Sequence, residues 1–329
     1  MSNYLGLMQL VLFASVGFAL LAALISLIVY PLVRKRLLQQ APARRANILL
    51  IWLLAPASVG LLFTLLSLMP SFLSLLGIEQ DHCSVHDGHL HLCLIHPPLP
   101  LDNIVSWGLI PLLGVMAVVF SGTLILGLVR GYKLYKGLMM ASRKHDEQDF
   151  HIVEWNGPIA LSAGLYHMSV FISGQLIQSL TAKQLDVVIA HERSHAERKD
   201  ALRQLLAHAL SFAHMPWMRR SLLADMNLAC EQACDEAAAH ITGDRLHVAD
   251  TIVSIERMFI RKPLPFSALS ISGSDITERV ESLLRKPHTN SPSWRRHLIL
   301  TGILVFVGAF ASAGELHHHT ESILGFLTR

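Results

Sequence analysis

Four long stretches of this chain carry no charged residue: 4–33, 46–78, 104–129 and 298–314. A helix rises about 1.5 Å per residue, so about 20 apolar residues cross the roughly 30 Å hydrocarbon core of a bilayer. Each run meets or nearly meets that length. In hydrocarbon the backbone must satisfy its own polar groups, so each run is expected to be a helix. The first run is not expected to be a cleaved signal peptide, because no Lys or Arg precedes it and it is too long for the apolar region of one. These runs also explain why only 16% of the chain is charged, where a soluble domain has about a quarter.

The placement of charge gives an orientation. Arg34, Lys35, Arg36, Arg44 and Arg45 follow the first run without an acid among them, whereas 79–103 contains no Lys or Arg. Residues 130–296 hold most of the remaining basic residues, and only Arg329 lies beyond the last run. Under the positive-inside rule the N-terminus is outside, 34–45 inside, 79–103 outside, 130–296 inside and the tail outside. The expected organisation is a first transmembrane helix within 1–33, a basic cytoplasmic loop at 34–45, and a second transmembrane helix within 46–78. An external loop at 79–103 and a third transmembrane helix at 104–129 follow. A cytoplasmic domain at 130–296, a fourth transmembrane helix at 297–314 and an external tail at 315–329 complete it. Pro56 and Pro70 are expected to kink the second helix, and 130–149 to leave the membrane as a surface helix.

The cytoplasmic domain contains His191-Glu192-Arg193-Ser194-His195. Residues four apart share a helix face, so both imidazoles can grip one metal ion, with Glu192 placed to take a proton from the attacking water. His-Glu-x-x-His is the zinc-hydrolase arrangement. A helix is predicted here independently of the motif. Thr181 and Gln184 have capping-box spacing, Leu185, Val188 and Ile189 supply an apolar face, and no Pro or Gly interrupts before Asp200. Upstream, 150–155, 159–164 and 168–173 read as short strands, giving the domain an α+β character. Residues 160–164 are expected to hold a substrate backbone by strand addition.

Two histidines and a water leave a tetrahedral site one ligand short. The alanine-rich segment 225–240 reads as a helix with Glu231 and Asp235 on one face. Glu231 is expected to be the third ligand to a single Zn2+, and Asp235 to accept the other ring N–H of a ligating histidine. Cys230 and Cys234 are expected to be small core residues, although Cys230 in place of Glu231 would make a two-histidine, one-cysteine site. His240, Arg245 and His247 are candidates to stabilise the oxyanion, and the sequence does not choose between them.

On the other face of the membrane, Cys83 and Cys93 flank a histidine-dense stretch and are expected to form a disulfide in an oxidising compartment. His82, His86, His89 and His91, with His96 and the tail's His317, His318 and His319, suit either a solvated polar loop or an external metal-binding loop.

His-Glu-Arg-Ser-His-Ala-Glu-Arg-Lys-Asp, His-Met-Pro-Trp at 214–217, and Asn-Leu-Ala-Cys-Glu-Gln-Ala-Cys-Asp-Glu from Asn227 together resemble the BlaR/MecR-type integral-membrane metallopeptidases of bacteria, the β-lactam-sensor antirepressor peptidases. The order of three spans, a cytoplasmic domain and a fourth span is also similar, as is the segment beginning Asp275-Ile-Thr-Glu-Arg. The resemblance implies a gluzincin-like domain in the bacterial inner membrane. It implies zinc ligands at His191, His195 and Glu231, the base at Glu192, and a supporting aspartate at Asp235. Arg193 departs from an apolar family position. Only 315–329 follow the last span, so a C-terminal penicillin-binding sensor domain is not expected. Stimulus detection then falls to the external loop, the spans, an external metal ion or a sensor partner.

Three readings follow: a signalling protease that cuts a cytoplasmic repressor, a membrane quality-control or processing protease, and a non-catalytic zinc-containing receptor. The lipid bilayer is an expected partner. Direct nucleic-acid binding is not expected, because the basic residues concentrate at membrane borders, where anionic lipid is the simpler partner.

Overall fold

The computed structural model describes residues 3–78, 92–100, 104–146, 148–164, 168–261, 273–285 and 293–327. Helix α1 (Asn3–Leu38) and helix α2 (Pro42–Ser67) form a hairpin closed by residues 39–41. Their backbones approach closely at Gly60, where a Cβ would stand 2.7 Å from the Ser15 carbonyl oxygen and 3.0 Å from the Ala19 Cβ. Only glycine fits there without pushing the helices apart. Nearer the turn, the Tyr30 and Trp52 rings meet edge-on at 5.5 Å, and Trp52 donates from its indole nitrogen to Ser26.

The second apolar run is divided. Helix α2 stops at Ser67, and α3 (Met69–Leu75) begins with Pro70 in its first turn. Proline lacks an N–H and suits that position, so Pro70 opens a helix where a kink was expected. Pro56 does lie inside α2. The third run is longer than expected. Helix α4 (Ile104–Met140) continues without a break through the basic segment that was expected to form a separate surface helix. Among the described residues, three helices are long and apolar enough to cross a membrane, over Tyr4–Leu38, Pro42–Ser67 and Gly114–Met140. Among the described residues, the apolar part of α11 (Ser293–Ala311) is the shorter stretch Gly302–Ala311.

A small sheet follows α4. Strands β1 (Ser142–Lys144), β2 (His151–Val153), β3 (Ala160–Ala163) and β4 (Ser169–Ser173) are ordered β1-β2-β4-β3. The β2–β4 pair is parallel, and the β1–β2 and β3–β4 pairs are antiparallel. Strand β1 lies in the segment expected to be helical. Its three residues are too few for a period to emerge in sequence.

Helix α5 (Gly174–Ser179) leads into α6 (Ala182–Arg198), whose capping box between Thr181 and Gln184 forms as expected. The chain then breaks at Lys199, which takes a left-handed φ of 55°, and α7 (Asp200–Leu210) starts at once. The uninterrupted helix expected through Asp200 is thus two helices.

Helix α8 (Pro216–Thr242) ends at Gly243, whose φ of 73° suits a glycine cap. Helices α9 (Arg245–Arg261) and α10 (Gly273–Leu284) pack beside it. Buried Met218, Leu222, Met226 and Ala229 of α8 pack with Tyr30 and Leu37 of α1 and with Ala46, Leu49 and Leu53 of α2. The first two turns of the second apolar run are therefore covered by protein.

The expected external tail is helix α12 (Ala313–Leu327), folded against α2 and α3. Its His317 is buried, with Nδ1 2.7 Å from the Ser67 carbonyl oxygen and Nε2 3.1 Å from Glu321. That imidazole is engaged in packing α12, whereas His318 and His319 are exposed. Cys93 is buried, and the disulfide expected of it falls on Cys83, outside the described residues. His82, His86, His89 and His91 also lie outside them.

Candidate metal centre

Helix α6 presents His191 and His195 one turn apart, and α8 crosses that face with Glu231. The capping box fixes where α6 begins, and buried Val187, Val188, Ile189 and Ala190 seat its other side in the core. Three ligand atoms converge. His191 Nε2 and His195 Nε2 are 3.1 Å apart, and Glu231 lies 3.5 Å from the first and 3.4 Å from the second. For metal bonds of about 2.05 Å, the edges of a tetrahedron are about 3.3 Å. The three side chains thus already occupy three corners of a zinc-sized tetrahedron, and Glu231 stays 30% exposed, leaving an approach from solvent.

Behind each ligand stands a charged partner. Asp235 lies one turn beyond Glu231 on α8 and reaches His191 Nδ1 at 2.9 Å. Asp200 reaches His195 Nδ1 at 2.9 Å. The break at Lys199 turns the chain so that Asp200 can reach back to a histidine five residues earlier. Arg279 of α10 grips Asp235 with two hydrogen bonds, of 2.8 and 2.7 Å, and touches Glu231 at 3.1 Å. Sequence reasoning had assigned no role to Asp200 or Arg279.

The electrostatics follow from this geometry. Burial opposes protonation of His191, but hydrogen bonds to Asp235 and Glu231 outweigh it and push the imidazole up to about 10. His195 is likewise raised, against burial, by Asp200, Cys234 and Glu231. Burial would raise the Glu231 and Asp235 carboxyls, yet Arg279 and the histidines hold both below the usual range. Without metal the carboxylates favour protonated imidazole at the site, the 3.1 Å contact between the two Nε2 atoms leaving room for one proton between the rings, and a divalent cation would take that proton's place.

Glu192 is half-buried beside His191 and makes no hydrogen bond or ion pair among the described residues. Arg193 is exposed. Cys230 is buried, and its thiol is pushed up to about 12 by that burial, whereas the side chain that converges with His191 and His195 is Glu231. The Cys234 thiol donates to Asp200 at 3.7 Å. Neither His240, Arg245 nor His247 contacts the three converging side chains. His240 is exposed, Arg245 donates to the Leu283 and Ser282 carbonyls, and His247 Nε2 is buried without a hydrogen-bond partner.

Strand β3, which contains most of the segment expected to hold substrate, is an edge strand of the sheet and packs beside α6. Its outer edge has no paired strand among the described residues.

No curated protein and no solved structure matches the chain. A family model described as BlaR1 peptidase M56 matches residues 108–283. That span runs from α4 to α10 and takes in both helices of the metal centre and the arginine behind them. The chain belongs to the BlaR1-type M56 peptidases, a family of membrane metallopeptidases.

Proposed function

We propose that the protein is a membrane zinc endopeptidase that cuts a cytoplasmic protein, in the signalling reading a transcriptional repressor. The observation that carries the metal assignment is the triangle of His191, His195 and Glu231, with edges of 3.1–3.5 Å. Zinc held there would polarise the scissile carbonyl and acidify the attacking water. Glu192 takes that water's proton and delivers it to the leaving amine. Asp235 and Asp200 hold the two imidazoles with Nε2 directed at the metal position. The free edge of β3 receives the substrate backbone as an added strand, which favours an extended peptide over a small ester or amide.

The cytoplasmic side of the metal centre, a fourth span through α11 and the bacterial inner membrane belong to this proposal, resting on charge asymmetry and family membership. Cytoplasmic proteomes of cells expressing wild type and Glu192→Ala are the test. Loss of one cut regulator, with zinc content of the purified variant unchanged, is the expected result. Cleavage that persists in the variant removes Glu192 from the reaction. Accumulation of many damaged membrane proteins would instead identify a quality-control protease.

A further inference from the structure

Residues 204–218 contain no Asp, Glu, Lys or Arg, and are bracketed by Arg203 on one side and by Arg219 and Arg220 on the other. Such a stretch is too short to cross a bilayer and is ordinarily either a core helix or a segment that dips into the membrane and returns. The structure bends it in the middle: α7 ends at Leu210, residues 211–213 make one 3-10 turn, and α8 departs from Pro216. The bend lies against the spans. Helix α7 packs on both α2 and α4, and the 211–213 turn packs on α1 and α2. A Cβ on Gly127 of α4 would run into the Leu205 side chain, and the Phe212 ring lies 6.0 Å from that of Phe120. Leu205 to Phe212 and Gly127 to Phe120 are equal steps in opposite directions, so α7 descends antiparallel along α4.

Charge marks how deep the bend reaches. Phe120 lies ten residues inside Arg130, the first charge after the third apolar run, which is roughly 15 Å at 1.5 Å per residue. His214 Nε2 stands 3.1 Å from the Trp52 carbonyl oxygen, and Trp52 lies seven residues inside Arg45, roughly 10 Å. The headgroup layer takes only about 5–7 Å on each side of the hydrocarbon, so both measures carry the tip to the upper acyl chains. Phe212, Met215 and Trp217 at the tip are 43%, 38% and 62% exposed, which a core helix would not leave so. The exposed polar side chains His208 and Arg220 stand farther back on α7 and α8, toward the headgroups. Backbone polar groups at such depth must be satisfied by protein. Arg219 donates to the Ser211 hydroxyl at 2.9 Å and to the His208 carbonyl at 3.0 Å, and the His214 N–H donates to the Ser211 carbonyl at 3.1 Å.

We propose that the 210–217 bend is a re-entrant membrane wedge, its exposed face seated among the acyl chains of the leaflet on the side of the 34–45 turn. Continuity with α1, α2 and α4 makes that face part of the lipid-facing surface of the spans. Both helices of the wedge lead to the metal centre. Helix α7 begins at Asp200, whose carboxylate holds His195, and α8 rises roughly 20 Å from Met218 to Glu231. The wedge therefore holds the metal centre within one helix length of the bilayer. The inference stands independently of whether the metal centre cuts peptide bonds.

The test uses the full-length protein in nanodiscs of ordinary phospholipid and of phospholipid brominated on the upper acyl carbons, which quenches indole emission on contact. Emission from Trp217 is read as the difference between wild type and Trp217→Phe. Emission from Trp155, 44% exposed and two residues beyond β2, is read in the same way with Trp155→Phe. Trp217 is expected to lose most of its emission in the brominated discs, and Trp155 to keep its own. In Phe212→Trp, made on the Trp217→Phe background, the new indole is expected to be quenched as well. Each substitution exchanges one aromatic ring for another, and circular dichroism checks that the helices are kept. Equal emission from Trp217 in the two discs overturns the proposal, whether water, a protein partner or a second copy then covers the bend. Quenching of Trp155 as strong as that of Trp217 also overturns it.

Discussion

Arg279 and Asp235 meet as a two-pronged buried ion pair, Nε to Oδ2 at 2.8 Å and Nη2 to Oδ1 at 2.7 Å. The remaining nitrogen reaches Glu231 at 3.1 Å, so one cation from α10 braces two carboxylates of α8. One of these is a candidate metal ligand, and the other orients His191. The pair thus links the packing of α10 to the shape of the metal centre.

Replacing Arg279 with Gln leaves the buried Asp235 and the part-buried Glu231 short of positive charge. Removing one partner of a buried pair costs about 3–5 kcal/mol. The metal-free variant is expected to unfold that much more easily, and zinc, by supplying the missing charge, is expected to restore more stability to the variant than to wild type. Thermal unfolding of both proteins, with chelator and with zinc, checks this. A metal-free variant as stable as wild type would show that Arg279 carries no such load.

Asp200 supports the second histidine as Asp235 supports the first. Asp200→Asn keeps the shape but removes the charge that holds the His195 ring and raises its basicity. Loss of such a partner typically weakens metal affinity by about 10–100-fold. Competition with a chromophoric zinc chelator measures it, and an unchanged affinity would reduce Asp200 to a helix-start residue of α7.

What sequence could and could not reveal divides along interaction range. The capping box, the paired histidines and the Glu231–Asp235 spacing are patterns within one or two helical turns, and all three elements formed where expected. Arg279 lies 44 residues from Asp235, and its partner becomes apparent only once α10 has packed on α8. The break at Lys199 carried no signal, because lysine has none of glycine's preference for a left-handed turn. The charge-free runs were legible as helices but not in their neighbours: length alone could not show that α8 covers the start of the second, or that the tail folds back as α12.

Zinc binding is expected to release protons. Zinc requires neutral imidazoles, whereas His191 in the metal-free site is held at about 10 and His195 is also raised. Apparent zinc affinity should therefore rise with pH from neutrality toward about 10. The metal-free protein should behave oppositely. Protonated imidazole paired with the carboxylates stabilises it fully below the ordinary histidine value near 6.5, and that contribution disappears as pH rises through the folded value. On the acid side, the lowered Asp200, Glu231 and Asp235 carboxyls lose their contribution as pH falls below their ordinary range near 4. Calorimetric zinc titrations in buffers of different ionisation enthalpy measure the protons released. A heat independent of buffer would mean that the histidines are already neutral.

Asp225 tests how the hairpin holds α8, the helix that carries Glu231. It accepts from Arg34 Nε at 2.6 Å and Nη2 at 2.7 Å, and from the Tyr30 hydroxyl, joining α1 to α8. Arg34→Ala leaves Asp225 buried with the tyrosine still donating. Because Arg34 is 45% exposed, the cost should fall below that of a fully buried pair, at about 1–3 kcal/mol. Asp225 is six residues from Glu231, roughly 9 Å along the helix at 1.5 Å per residue, and makes no contact with the metal centre. The variant should therefore unfold more easily while zinc affinity, measured well below its unfolding range, stays at the wild-type value. If affinity falls together with stability, the hairpin's grip on α8 sets the position of Glu231, and strain in α1 reaches the metal centre.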